Sequence, residues 1–271
     1  MAESCNIQSA GLALGGGAAR GWAHIGVLLA LAEKNIRITH IAGTSIGAFV
    51  GAFYATNTLD ILLENVMDLD WRHGLGYFAS VPSKTGMING RKITEFLKNH
   101  LKVGTLEETS IPLCTVATDL RTGAEITLSR GSIVDAVRAS IAIPGMFTPV
   151  QKEDVLLVDG GLVNPVPVST LRNMGAEKII AVDLNGIPAD PDVALLTTEQ
   201  PNMLEIIGVS ANIIEAGLTQ KRLAEDPPDL LIRPDLAHIS YLDFSKGEEL
   251  IRLGYEAGRQ SVEKDGLKVE T

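Results

Sequence analysis

Ala10-Gly11-Leu12-Ala13-Leu14-Gly15-Gly16-Gly17-Ala18-Ala19-Arg20-Gly21 decides the fold class. A short apolar run reaches Leu14, three glycines stop it, and a helix-like stretch follows from about Arg20 to Lys34. Buried strand, glycine turn and helix in that order make one unit of an α/β layer fold. The unit repeats at once. Ile36 to Ala42 reads as a strand, Gly43 to Ser45 as a tight turn, and Ile46 to Ala55 as a helix.

Further along, Leu59, Leu62, Leu63, Val66 and Met67 recur at helical spacing within Thr58 to Leu69. Helices are also expected at about Asn89 to Leu101 and Ser132 to Ala139, and at Ser245 to Val262. Met203, Ile206, Ile207, Ile214 and Leu218 suggest a long amphipathic helix from Met203 to Leu223. Strands are expected at Leu113–Thr118, Ile126–Leu128, Val155–Val158, Lys178–Leu184 and Leu230–Arg233. Pro144, Gly145 and Pro149 mark a loop. Trp71 to Met87 shows no period, which in a loop of that length points to function or mobility. Residues 185–202, with Pro188, Pro191 and Pro201, read as the most flexible connection. No repeat divides the chain, so residues 1–271 are expected to form a single domain.

Composition narrows the function. The chain has 271 residues, 45% hydrophobic and 21% charged, which excludes a disordered protein. A chain of this length buries a core without disulfides or metals. Its net charge of -10 argues against nucleic acid as a partner and against recruitment to anionic lipid by charge alone. Cys5 and Cys114 make neither a disulfide framework nor a CxxC pattern, and no Cys/His cluster suggests a metal. The start of the chain lacks a basic segment and an apolar signal core. The most apolar stretches, Trp22 to Ala32 and Ile41 to Ala55, fall short of the ~18 residues of a membrane span. A cytoplasmic location is expected.

Gly43-Thr44-Ser45-Ile46-Gly47 matches G-x-S-x-G between a strand and a helix. Such a turn lifts a serine hydroxyl into a cleft, with Gly43 and Gly47 permitting the bend. The competing reading is a serine that only caps its helix. Gly15 to Gly21 admits three readings. A dinucleotide fingerprint would need a glycine where Arg20 stands, and an acid after a strand that here ends His40-Ile41-Ala42. A phosphate-binding P-loop would need a lysine that is missing. An oxyanion hole needs only converging amides at Gly15, Gly16 and Gly17 and a nucleophile beside them. For the base, His24 and His40 read as packed side chains, while His238 would close a Ser-His-Asp triad. Asp159 ends a strand before Gly160-Gly161 and would act directly on Ser45 if desolvation raised its pKa. Alone, it reads rather as a turn residue bonding its own backbone.

Together, the Gly15–Gly21, Gly43–Gly47 and Asp159–Gly161 blocks resemble the patatin-like phospholipases, in order and in spacing. Ala139-Ser140-Ile141-Ala142-Ile143-Pro144-Gly145-Met146-Phe147 resembles the loop that precedes the third block. The resemblance spans a motif-bearing core of about residues 10–172. The remaining extension, about 173–271, looks similar to bacterial members related to the neuropathy target esterase catalytic domain. The resemblance implies a three-layer α/β/α sandwich with a mostly parallel central sheet. It implies a Ser45–Asp159 dyad, an oxyanion hole at Gly15–Gly17 with Arg20 beside it, and no cofactor or metal. The implied reaction hydrolyses carboxylic esters of phospholipids, lysophospholipids or other acyl lipids. Such substrates imply transient contact with a membrane surface, and Gly74-Leu75-Gly76-Tyr77-Phe78 is a candidate lid. The rivals are a nucleotide or phosphate binder using Gly15–Gly17 and an esterase using His238.

Overall fold

A computed structural model describes residues 7–68, 88–185 and 200–264. Cys5, His73, the candidate lid at Gly74–Phe78 and most of the proline-rich connection lie outside the described residues. The strands are β1 (Ser9–Leu14), β2 (Arg37–Thr44), β3 (Leu113–Asp119), β4 (Glu125–Leu128), β5 (Val150–Lys152), β6 (Val155–Asp159), β7 (Ile179–Val182) and β8 (Leu230–Ile232). The helices are α1 (Ala23–Glu33), α2 (Ile46–Ala55), α3 (Leu59–Met67), α4 (Arg91–His100), α5 (Ile133–Ser140), α6 (Val168–Asn173), α7 (Met203–Glu225) and α8 (Gly247–Lys264).

One sheet runs β5-β6-β3-β2-β1-β7-β8, with β4 also paired to β3. Strands β3, β2, β1, β7 and β8 pair in parallel, whereas β4 and β6 pair antiparallel with β3, and β5 with β6. Both faces are covered, so β3 and β7 are buried along their whole length. Alternate residues enter separate cores. Leu12, Leu14, Ile41, Ile180 and Val182 join the larger one with α1, α2 and α8. Ala13, Ala42 and Ala181 join a smaller one with Val168 and Leu171 of α6 and Leu223 of α7. Two cores on one sheet make the expected three layers.

The structure departs from the expected elements at particular places. The first α-helix begins at Ala23, because Ala18 to Trp22 form a tighter 3-10 turn. Neither β5, which directly follows Pro149, nor α6, which opens after Pro165-Val166-Pro167, was legible in segments dense in proline. Helix α7 has the expected length but a largely different facing, with Ile207 of the expected stripe packed against the larger core. Its buried positions are Gly208, Asn212, Glu215, Thr219 and Leu223. Met203, Ile206, Ile213 and Ile214 are instead exposed, Met203 by 75%.

Residues after 172 are built into the same sheet, since β7 occupies the second edge of β1. The chain leaves β1 toward β2 on one side and later leaves β7 toward β8 on the other. At such a reversal the carboxyl ends of the strands open a crevice. Gly15, Ser45 and Asp183 follow the carboxyl ends of β1, β2 and β7 there.

Candidate active site

Ser45 occupies the single residue between β2 and α2 at φ 55° and ψ -126°, a left-handed conformation that a side chain adopts only under strain. Its neighbours permit the bend because they have no side chain. A Cβ on Gly47 would lie 2.1 Å from the Leu14 carbonyl oxygen, and one on Gly43 would lie 2.5 Å from Ala48 Cα. The Ser45 amide donates to Ser140 Oγ at 2.9 Å, and that hydroxyl donates onward to the Val116 carbonyl at 2.6 Å. The residue stands at the N-cap of α2, yet its hydroxyl caps nothing there. Ser45 Oγ donates instead to Asp159 Oδ2 at 2.6 Å.

Asp159 makes the contacts that both readings of its sequence context call for. Oδ1 accepts from the Gly161 amide at 2.7 Å, as a turn aspartate does, and Oδ2 faces the serine. Its backbone is pinned on both sides: the amide donates to Ala142 and the carbonyl accepts from Thr118 Oγ1. Burial pushes the carboxyl up to about 7, against the hydrogen bonds from Ser45 and Gly161 that stabilise its anion.

The glycine loop differs from expectation in which amides it leaves free. Gly15 N–H donates to the Val182 carbonyl at 3.0 Å and Gly16 N–H to Pro165 at 2.9 Å. Both amides are thus spent on holding the loop to β7 and to the turn before α6. That removes the run of free amides a phosphate cradle would need. The amides of Gly17 and Ala18 donate to no acceptor among the described residues. Ala18 lines the same cavity as Ser45. A Cβ on Gly16 would lie in ordinary contact with Ser45 Cβ at 3.6 Å and closer, at 3.3 Å, to Glu215 Oε2.

Arg20 also departs from its expected place. It is buried, its Nε donates to the Ile239 carbonyl at 3.0 Å, and it does not line the cavity at Ser45. Its contact ties the loop to the 236–241 segment. His24 is packed, as expected, and donates Nε2–H to the Gly15 carbonyl at 2.8 Å; burial lowers its pKa to about 4 and keeps it neutral. His238 lies on the surface, 53% exposed, with Nε2 3.3 Å from Glu249 Oε1. No imidazole hydrogen-bonds to Ser45 or Asp159 among the described residues, so the His238 triad lacks its geometry.

Three buried groups beside the dyad carry no motif. Asn185 Nδ2 donates to Glu215 Oε2 at 2.7 Å, and the Tyr241 hydroxyl donates to the same oxygen at 3.1 Å. Burial, reinforced by the nearby Asp159, raises Glu215 to about 8. The inward spacing of Asn212, Glu215 and Thr219 along α7 is the one sequence signal that marks this face. In front of Ser45 opens a cavity of about 430 Å³ whose apolar wall includes Ile141, Ile143, Met146, Phe147, Leu242 and Phe244. Among the described residues there is no cluster of three or more metal-ligating side chains and no helix long and apolar enough to cross a membrane.

The family described as patatin-like phospholipase matches residues 12–172. An uncharacterised NTE family protein of Mycobacterium tuberculosis (strain H37Rv) is 40% identical over 180 residues, 66% of this chain and 50% of that protein. Lysophospholipase NTE1 of Pyricularia oryzae is 30% identical over 283 residues, 95% of this chain and 18% of its own length. Patatin-like phospholipase domain-containing protein 7 of Mus musculus is 30% identical over 288 residues, 96% of this chain and 21% of its own. The chain therefore spans half or less of the length of these curated relatives. VipD from Legionella pneumophila shares the fold, with a TM-score of 0.50 at 16% identity over 94% of this chain and 67% of that one. With most of β1 through α6 inside the matched region, this chain belongs to the patatin-like phospholipase family.

Proposed function

We propose that this chain hydrolyses carboxylic esters of acyl lipids, with Ser45 as nucleophile and Asp159 as the base. The observation that carries it is the 2.6 Å contact between Ser45 Oγ and Asp159 Oδ2, made at the floor of an apolar cavity. Asp159 takes the hydroxyl proton as Oγ attacks the acyl carbonyl. The amides of Gly17 and Ala18 donate to the oxyanion that forms. The tetrahedral intermediate collapses, the C–O bond to the alcohol breaks, and Asp159 returns the proton to the leaving oxygen. Water then attacks the acyl-serine with Asp159 again as base, releasing the fatty acid and restoring Ser45. The apolar wall suits an acyl chain. The names of the relatives, a phospholipase and a lysophospholipase, point to the same substrate class.

A fluorophosphonate tests this directly. It should label Ser45 in the wild-type protein, and Ser45→Ala should abolish both labelling and turnover of a short-chain aryl ester and of a lysophospholipid. Unchanged turnover in a purified Ser45→Ala sample would overturn the assignment.

A further inference from the structure

Helix α7 buries Asn212, Glu215 and Thr219 while Met203, Ile206, Ile213 and Ile214 are exposed, an arrangement that costs stability. Glu215 lies at the centre of the inward stripe. It is 6% exposed, and no basic side chain pairs with it among the described residues. Its Oε2 accepts from Asn185 Nδ2 and the Tyr241 hydroxyl, and sits 3.3 Å from the point a Cβ on Gly16 would occupy. Glu215 also flanks Gly161 beside the base. The point a Cβ on Gly161 would occupy lies 2.3 Å from Glu215 Oε1 and 3.1 Å from Asp159 Oδ1.

Taking Ser45 and Asp159 as the reacting pair, we propose that Glu215 is a positioning residue that works in its protonated form. It clamps Asn185 and Tyr241 beneath Gly16 and Gly161 and leaves the single negative charge of the site on Asp159.

Burial and the neighbouring Asp159 favour that protonation state, against the hydrogen bonds from Tyr241 and Asn185, which favour the anion. From β6 Glu215 is faced by Asp159, and from the end of β7 by Asp183, whose own charge is met by Arg233 at 2.8 Å. From the segment before α8 it is faced by Tyr241, which burial holds protonated. Arg20 acts electrostatically on Tyr241 from the glycine loop. On α7 itself, the neighbouring inward groups Asn212 and Thr219 carry no charge. Two anions in one desolvated pocket repel, and a carboxylate at Glu215 would oppose the developing oxyanion on the glycine loop beside it.

Activity is therefore expected to rise with pH as Asp159 loses its proton near 7, and to fall as Glu215 loses its own near 8. The two limbs belong to the coupled pair. Wild type, Glu215→Gln and Glu215→Ala should be compared by kcat/KM for an aryl ester from about pH 5 to pH 10. Fluorophosphonate labelling and thermal unfolding of the same samples complete the comparison. Glu215→Ala is expected to lose about tenfold or more at pH 7. Glu215→Gln, which keeps the shape of the acid and cannot ionise, should recover most of that loss and remove the alkaline fall. A Gln variant as impaired as the Ala variant, while equally folded, would show that the carboxylate charge is required and overturn the proposal. So would an alkaline limb that persists in Glu215→Gln. Failure of the fluorophosphonate to label wild-type Ser45 would instead overturn the underlying Ser45–Asp159 assignment.

Discussion

Ala18 sits at φ 45°, where a glycine would be unstrained, and its amide is one of the two left free beside Ser45. Left-handed backbone costs an L-residue roughly 1–2 kcal/mol, partly offset by the greater unfolded-state freedom of glycine. Ala18→Gly is expected to raise stability by up to about 1 kcal/mol with the amide still in place, read by urea unfolding. Asp159 carries a strain of a different kind. Its folded pKa, raised to about 7 from 3.8, means that the folded state holds the proton more tightly than the unfolded chain. The stability this group contributes is full below about pH 4 and is lost as pH rises through 7. Asp159→Asn removes that titration, so its melting temperature should match wild type near pH 4 and exceed it by a growing margin up to about pH 8, while ester hydrolysis collapses. A constant difference across that range would contradict the desolvation argument. The Ser45–Asp159 pair was legible from sequence because Ser45 follows β2 and Asp159 ends β6, each inside a glycine frame. Glu215, Asn185 and Tyr241 were not, because they meet only after α7 and the 236–241 segment fold over the sheet. Of the expected amides at Gly15–Gly17 only that of Gly17 is free, joined by Ala18, for a related reason: the bonds of Gly15 to β7 and of Gly16 to Pro165 are invisible in the local motif.

Among the elements, α1 and α8 approach each other through residues that lack bulk. A Cβ on Gly26 would lie 1.9 Å from the Ile251 carbonyl oxygen, and one on Gly254 would lie 2.0 Å from the Ala23 carbonyl oxygen. One on Gly258 would meet Ala30 Cβ at 2.9 Å. Backbones this close leave a larger side chain nowhere to go except by separating the helices, and overpacking of that kind typically costs about 1–3 kcal/mol or more. Gly254→Leu is expected to destabilise by at least about 3 kcal/mol in chemical unfolding, whereas Arg252→Ala, on the exposed side of α8, should change it by less than about 0.5 kcal/mol. Equal effects would mean that the two helices separate freely. The α1 and α2 segments were legible as helices because they are apolar and follow glycine turns. The facing of α7 was not, because hydrophobic periodicity assumes that apolar side chains point inward, and here Asn212, Glu215 and Thr219 take those places.

For the whole molecule, the question is whether residues 12–172, which carry every motif, suffice without residues 173–271. In the structure they do not stand apart. Strand β7 fills the second edge of β1 and accepts the Gly15 amide at Val182, so its loss would expose a central parallel strand and release the glycine loop. Helix α8 covers α1, whose residues are buried nearly all round, and removing it would open that apolar helix to water. Helix α7 and the 236–241 segment bring Glu215 and Tyr241 against the dyad, and Ile239 holds Arg20. Each loss is several kcal/mol against a total stability of only about 5–15 kcal/mol. A chain ending at residue 172 is therefore expected to yield no cooperative thermal transition and no fluorophosphonate labelling, although Ser45 and Asp159 are both present. Labelling at the wild-type rate by that truncated chain, together with a sharp melting transition, would show instead that residues 173–271 are an appendage and that the motif-bearing core folds alone.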